Sequence, residues 1–334
     1  MAAVATPQQL ADLVQQQQAD EAAALEEQTA EEADGGAGGA LAGLVAVALA
    51  AWVAAFGALA VIGGGLMLAR LLAGLRADVD RAASGLGRRS RRVLEGALAD
   101  AAGMGARHAV DFARRASGDD IGVPGVDVPE AALDAARGLT DVVTEQLRLA
   151  ARLLAPRTIS GSGWRGVVLA LAAAKRAATL VRQTVAWAVH RAVNDGAAQV
   201  AQQLGARGLW VAEPDACVRC LAYAGHLTDR DGHFPGGLSM DPHSRSTLKA
   251  AIEGPPLHPA CRCRLVPWMP DWGTGPGSLP ELLRDQAWRS IAAGRGRPTE
   301  SHAARRRAAR ALLARRGLSA RVRRQATATA AGRS

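Results

Sequence analysis

The residues able to do chemistry are concentrated between Trp210 and Trp268, a stretch that holds all four cysteines of the 334 residues. Cys217 and Cys220 form a C-x2-C step within Asp215-Ala-Cys-Val-Arg-Cys, and His258-Pro-Ala-Cys261-Arg-Cys263 follows about forty residues later. Zinc takes thiolate and imidazole ligands in a tetrahedron, and the ligands arrive in closely spaced pairs. A C-x2-C step on a tight turn points two sulfurs at one ion. The second half reads in two ways. His258 and Cys261 make an H-x2-C step stiffened by Pro259, whose ring fixes its own φ. Alternatively, Cys261 and Cys263 lie two apart on an extended segment and point to the same side. Five donors thus stand for four positions; Cys217, Cys220, His258 and Cys261 are the favoured set, with Cys263 as the alternate.

Four protein ligands leave no open coordination position, so such a zinc site is structural. Its binding free energy, roughly 10–16 kcal/mol in small zinc domains, then counts as folding free energy. Two disulfides or four free thiols are the competing readings. Disulfides belong to oxidising compartments, and the amino terminus lacks the positive n-region of a signal peptide. His226, His233 and His243 lie between the two cysteine clusters and read as solvated loop residues, because the ligand pairs already fill a tetrahedron.

The elements that must position these donors are mostly helical. Residues 1–34 carry eight acidic residues and no Lys or Arg, and read as a solvated helix or a disordered segment. Residues 35–69 contain no charge. Within them Ala40–Ile62 is long enough to cross a bilayer, which takes about 20 apolar residues, and equally suits a buried Ala-rich helix or a hairpin turning at Gly63-Gly64-Gly65. Residues 70–205 read as a helical region with no strand pattern. Its Arg88-Arg89-Ser90-Arg91-Arg92 run is taken as a solvated face rather than a phosphate contact. A linker is expected over 118–129, a helix from Pro129 to about Leu154 ended by Pro156, and a loop over 159–163. A long helix from Trp164 to about Leu204 follows, striped by Val181, Val185, Val189 and Val193.

Residues 206–292 form a small, loop-rich Cys/His domain. It contains a short helix over about 242–253 capped by Asp241, and a last helix over 279–292. Trp210, Tyr223, Phe234, Trp268, Trp272 and Trp288 gather here, and a small core with a metal needs such large side chains. Residues 293–334 form an Arg-rich tail with twelve Arg and one Glu from Arg295 onward, a balance of +11 against +9 for the whole chain. Its apolar residues are too few for a core, and such a tail neutralises phosphates without sequence preference. The fold class is therefore mainly α: a long helical amino-terminal region, a metal-stapled carboxy-terminal domain, and a basic tail.

The motif set resembles the Mu F-like head morphogenesis, or minor capsid, proteins of tailed bacteriophages. The shared pattern is a tryptophan, an Asp, a C-x2-C step, a glycine, then His-Pro-x-Cys-Arg-Cys: here Trp210, Asp215, Cys217, Cys220, Gly225 and His258 to Cys263. The preceding helix, Thr184 to Gly196, is similar to the family's Thr-…-Asn-x-Gly segment through Asn194 and Gly196. It departs from the family where Gln183, Thr184 and Val185 replace an Arg-Thr-Glu cluster. The resemblance covers about residues 180–268. It implies a low-copy structural protein of the virion head, inside the capsid near the portal, made in the host cytoplasm and acting in head assembly and DNA packaging. The implied partners are portal and capsid or scaffold proteins, with packaged DNA on the Arg-rich tail and a membrane contact through residues 40–62. A membrane-anchored bacterial protein with a structural zinc domain is the rival reading. An enzyme is not expected: there is no H-E-x-x-H, two-carboxylate metal cluster or Gly-rich phosphate loop.

Overall fold

The computed structural model describes residues 4–57, 65–245, 250–272, 277–297 and 300–333. In chain order the elements are α1 (Pro7–Asp12), a π-helical turn (Leu13–Gln17), α2 (Gln18–Asp34), α3 (Ala37–Phe56), α4 (Gly65–Ala82), α5 (Leu86–Ser117), α6 (Glu130–Leu153) and α7 (Pro156–Ser162). They continue with α8 (Trp164–Gln203), β1 (Arg207–Val211), α9 (Cys220–Tyr223), β2 (Arg264–Trp268), α10 (Leu279–Ala292), α11 (His302–Leu313) and α12 (Ala320–Ala330). The fold is mainly α, with one small antiparallel pair of strands. The chain forms two compact units that do not follow chain order: Met1–Leu25 with Ala99–Pro129 and Val189–Ser334, and Glu26–Leu98 with Glu130–Ala188. The region expected to be helical over 70–205 is largely so, and through α5 and α8 it supplies residues to both units.

In the second unit, α3 and α4 pack as a hairpin. Between α2 and α3 the chain turns at Gly35 and Gly36. There Arg89 donates to the Asp34 and Gly35 carbonyls and the Asp34 carboxylate accepts the Gly38 amide. Within the run of arginines, Arg89 is thus a brace, whereas Arg91 pairs on the surface with Glu95. On α3 the buried stripe is Leu41, Ala48 and Trp52, and Trp52 packs against Phe56 and Trp164 at 4.8 and 5.9 Å between ring centres. Gly63 and Gly64 of the expected turn lie outside the described residues; Gly65 opens α4. The loop expected over 159–163 is helical instead. Pro156 supplies the first position of α7 after Ala155 in extended conformation, and proline is suited to that position because the amide it lacks would have no helical partner.

The first unit is built on the latter part of α8, where the Val189 and Val193 positions of the stripe are fully buried. β1 and β2 pair antiparallel with Trp210 opposite Leu265. Both terminal segments correct the sequence reading. Residues 4–25 dock as helix rather than standing in solvent: Thr6 and Gln9 form a capping box, and Leu10, Leu13 and Val14 pack with Phe112, Trp268 and Leu279. The Arg-rich tail is a helical hairpin whose Ala308, Ala309, Leu312 and Ala326 join the main core. Helix α10 is therefore not the last. The helix expected over 242–253 is reduced to a single 3-10 turn, Pro242–Ser244, capped as anticipated by the Asp241 carboxylate. Residues 246–249 lie outside the described residues, and beyond them Ile252 bridges Phe234 as an extended segment, so Phe234 takes the backbone groups that a helix would have used.

Candidate metal centre

The two halves of the cysteine pattern meet. Cys217 leaves the loop after β1, and the turn Val218–Arg219 leads into α9, whose first residue is Cys220. The Cys220 amide donates to the Cys217 sulfur at 3.5 Å, which fixes the bend of the step. In the second half the Cys261 amide donates to the His258 carbonyl at 2.8 Å, closing the His-Pro-Ala-Cys turn. Cys263 then leads directly into β2.

His258 Nε2 lies 3.4 Å from both the Cys217 and the Cys220 sulfurs, and the Cys220 and Cys261 sulfurs are 3.5 Å apart. Two overlapping groups result, Cys217–Cys220–His258 and Cys220–Cys261–Cys263, each with its donor atoms within 4.8 Å of one another. These groups can hold a metal ion, and Cys220 belongs to both. The disulfide reading is excluded for this structure: all four cysteines are free, and 3.5 Å is far beyond a sulfur–sulfur bond of about 2.05 Å. His226, His233 and His243 fall outside both groups.

The electrostatics are those of a ligand cluster. The hydrogen bond from the Cys220 thiol, helped by His258 against the cost of burial, pulls Cys217 down to about 4. Contact with Cys217 raises His258. Cys261 is held well below its ordinary value, chiefly by Cys220 and then Cys263, and Cys220 is pushed well above it, first by Cys217. The hydrogen bonds among the sulfurs thus favour a thiolate at Cys217 and at Cys261. A cation replaces the shared protons in such an arrangement, because metal ligands bind deprotonated.

Asn194 braces the cluster directly, and Gly196, Gly225 and Trp210 allow close packing elsewhere in the same unit. Asn194, buried on α8, donates to the Cys263 carbonyl at 3.1 Å and accepts the Leu265 amide at 2.8 Å, so one side chain pins the segment that carries the last cysteine. Gly196 lets α8 approach α5: an added Cβ would sit 2.1 Å from the Ala102 carbonyl oxygen. Gly225 adopts φ of +73°, a conformation that favours glycine, and packs so closely that a Cβ would meet the Pro280 carbonyl at 2.0 Å. Trp210 is fully buried and packs on Tyr223 and Phe234 at 4.8 and 5.2 Å.

Three residues that the sequence placed in the tail support the site instead. Arg297 donates to the Ala260 carbonyl and pairs with Glu213, so it spans the approaches to both cysteine turns. Glu300 accepts the Val218 amide at 2.7 Å, inside the C-x2-C turn. Arg305, buried, donates to Glu300 at 2.8 Å and to the Ala216 carbonyl at 2.9 Å. Their positions, up to about ninety residues from the turns they brace, carry no local signal.

A second buried polar group adjoins the site through β2. Arg264 Nη2 donates to His108 Nδ1 at 2.7 Å, and His108 Nε2 meets Glu21 at 2.7 Å. Burial, and then the Arg264 charge, lower His108 more than Glu21 raises it. His108 is therefore neutral, accepting from Arg264 and donating to Glu21. Burial lowers Arg264 to about 10, which leaves it charged at neutral pH. Comparison with protein-family models, curated proteins and solved structures finds no match for this chain.

Proposed function

We propose that this chain is a structural minor head protein of a tailed bacteriophage, of the Mu F-like kind, whose carboxy-terminal unit is stapled by one zinc ion. The observation that carries the reading is that the Cys/His turns meet in one cluster, with Asn194 bracing the segment that bears Cys263, while Gly196, Trp210 and Gly225 each have a packing task in the same unit. For zinc, bonds of about 2.3 Å to sulfur and about 2.0 Å to nitrogen give tetrahedral edges of roughly 3.5–3.8 Å. Three of the six edges of such a set, Cys217–His258, Cys220–His258 and Cys220–Cys261, fit at 3.4–3.5 Å; the two donor trios share only Cys220, so closing the tetrahedron requires Cys261 to move towards Cys217 and His258. These four are the proposed ligands and leave no open position for catalysis, with Cys263 as the alternate to His258. X-ray absorption at the zinc edge distinguishes three sulfurs and one nitrogen from four sulfurs.

In this reading the protein assembles in the host cytoplasm with portal and capsid or scaffold proteins and stays inside the head. The test is quantitative mass spectrometry of purified DNA-filled particles, with elemental analysis of the isolated protein. A few copies per particle and one zinc per chain are expected; absence from the particles overturns the virion reading.

A second reading, a membrane-anchored protein with a zinc-stapled domain, draws on α3. Among the described residues α3 is the one helix long and apolar enough to cross a membrane. It is about 30 Å long at 1.5 Å per residue, and Val45, Val47, Leu49 and Val53 are exposed on it. Retention in the pellet after carbonate extraction, from cells expressing the chain alone, favours that reading.

A further inference from the structure

The arginines after Gly294 divide into two groups. Arg297, Arg305 and Arg307 are spent inside the molecule; Arg307 is paired with the buried Asp241 carboxylate at 2.6 Å. Arg295 precedes the hairpin, and the others stand on its surface. Helix α11 buries Arg305, Ala308, Ala309 and Leu312, and α12 buries Val322, Ala326, Thr329 and Ala330, so each helix has one inward stripe and turns the rest outward. Around the connecting turn, Arg315, Arg316, Arg321, Arg323 and Arg324 are all exposed. Arg306, Arg310 and Arg333 extend the same sign towards the other end of the hairpin.

Elsewhere on the surface, arginines are often matched by carboxylates, as in Arg91–Glu95, Arg115–Asp111, Arg137–Glu130 and Arg182–Glu27. From Ser301 to Ser334 the sequence contains no Asp or Glu. The nearby Asp241 and Glu300 are already engaged by Arg307 and Arg305. The contacts recorded for the turn arginines are neutral: Arg315 lies over the Trp288 ring at 5.3 Å, and Arg323 donates to the Leu313 carbonyl at 3.3 Å. Five uncompensated guanidinium groups within ten residues repel one another and call for an external polyanion. They stand on a folded scaffold whose backbone entropy is spent before binding. Residues 301–334 contain no Phe, Trp or Tyr, and Arg315 lies over the nearby Trp288 ring, so a backbone contact is favoured over base recognition.

We infer that the α11–α12 hairpin is a sequence-independent binding surface for the phosphate backbone of duplex DNA, carried by the arginines of its turn. The inference rests on the hairpin alone and not on the virion reading, so either stands or fails without the other. It is tested on the full-length chain by fluorescence anisotropy with a labelled 30-base-pair duplex across a salt series. About five phosphate contacts give a slope of log affinity on log salt of about −4.5. The triple variant Arg316→Gln, Arg321→Gln, Arg324→Gln is expected to reduce that slope by about 2.7 and to weaken binding at 0.1 M salt by about 100-fold or more. The corresponding triple Lys variant keeps the charge and is expected to restore the slope. Circular dichroism of both variants, unchanged from the parent, shows that the fold is intact. Equal binding of unrelated sequences, or of duplex RNA, supports the shared phosphate chemistry. An unchanged slope in the Gln variant overturns the proposal, as does a Lys variant as weak as the Gln one. Binding to phosphatidylserine vesicles with none to DNA at 0.1 M salt also overturns it, in favour of a lipid headgroup.

Discussion

In the unit that carries the cysteines, single side chains tie together segments distant in sequence: Asn194 holds Cys263 and Leu265, Arg297 spans Glu213 and Ala260, and Glu300 seats Val218. In the other unit, helices of Ala and Leu meet along stripes such as Leu41, Ala48 and Trp52, and the charged pairs lie at the surface. The first arrangement concentrates stability at a few polar points, where removal leaves buried groups unsatisfied. The second distributes it over apolar area, where the cost of a change scales with the volume removed. The second also leaves one helix, α3, with apolar side chains on more sides than its own unit covers.

The sharpest test of this contrast is the metal. Cys220→Ser removes the donor common to both ligand groups. It is expected to abolish zinc binding, worth roughly 10–16 kcal/mol in comparable small domains. Loss of the near-ultraviolet dichroism of the buried Trp210 and Trp268 is expected with it, while the α3–α4 hairpin keeps its protection from hydrogen exchange. If chelation leaves both units unchanged, the contrast is wrong. Next comes Trp52→Ala, which empties a large buried volume in the apolar unit and is expected to cost about 3–5 kcal/mol in urea unfolding. A loss below about 1 kcal/mol would show that the α3 stripe is not a core.

Asn194→Ala is expected to cost about 3 kcal/mol by leaving the Leu265 amide and the Cys263 carbonyl unpaired, and to weaken zinc affinity measurably. Asn194→Asp separates these effects: it keeps an acceptor for Leu265 but loses the donor for Cys263. The smallest effect belongs to His108. Its value in the folded chain lies below the ordinary one of about 6.5, so the unfolded chain takes up its proton first as pH falls. The His108 contribution is complete above pH 6.5 and is lost as pH drops below 6.5 through the lowered native value. Zinc ligands protonate in the same direction, so the measurement is the difference in urea midpoint between parent and His108→Gln, at pH 7.5 and at pH 5. That difference is expected to shrink on acidification; a constant one rejects the neutral-histidine assignment.

Much of the helical frame was legible in the sequence, because its signals are local. Pro129 and Pro156 bracket α6, the valines spaced by four mark α8, and the helix expected over 279–292 is α10. The meeting of the two cysteine turns was likewise legible, since metal-ligand spacing carries its own geometry. The terminal segments were not. A composition rule discounts alanine, yet Ala308, Ala309 and Ala326 let α11 and α12 lie close enough to join the core. In the first 34 residues eight acids concealed three apolar side chains, Leu10, Leu13 and Val14, that share one docking face. The Glu21–His108–Arg264 chain was invisible because its members come from three distant segments and match no motif. Asn194 and Gly196 stood out through the resemblance, but their physical tasks required the coordinates.

The docking of residues 4–25 has a consequence for how the molecule is made. Leu10 and Val14 leave the ribosome before their partners Trp268 and Leu279, which arrive about 250 positions later. At about 5–20 residues per second, those side chains wait on the order of ten seconds to a minute with only the Phe112 and Ala116 part of their site. The cysteine-bearing unit is thus closed by early residues on later ones, and a ribosome that stalls midway holds a chain whose residues 7–17 face an incomplete docking face.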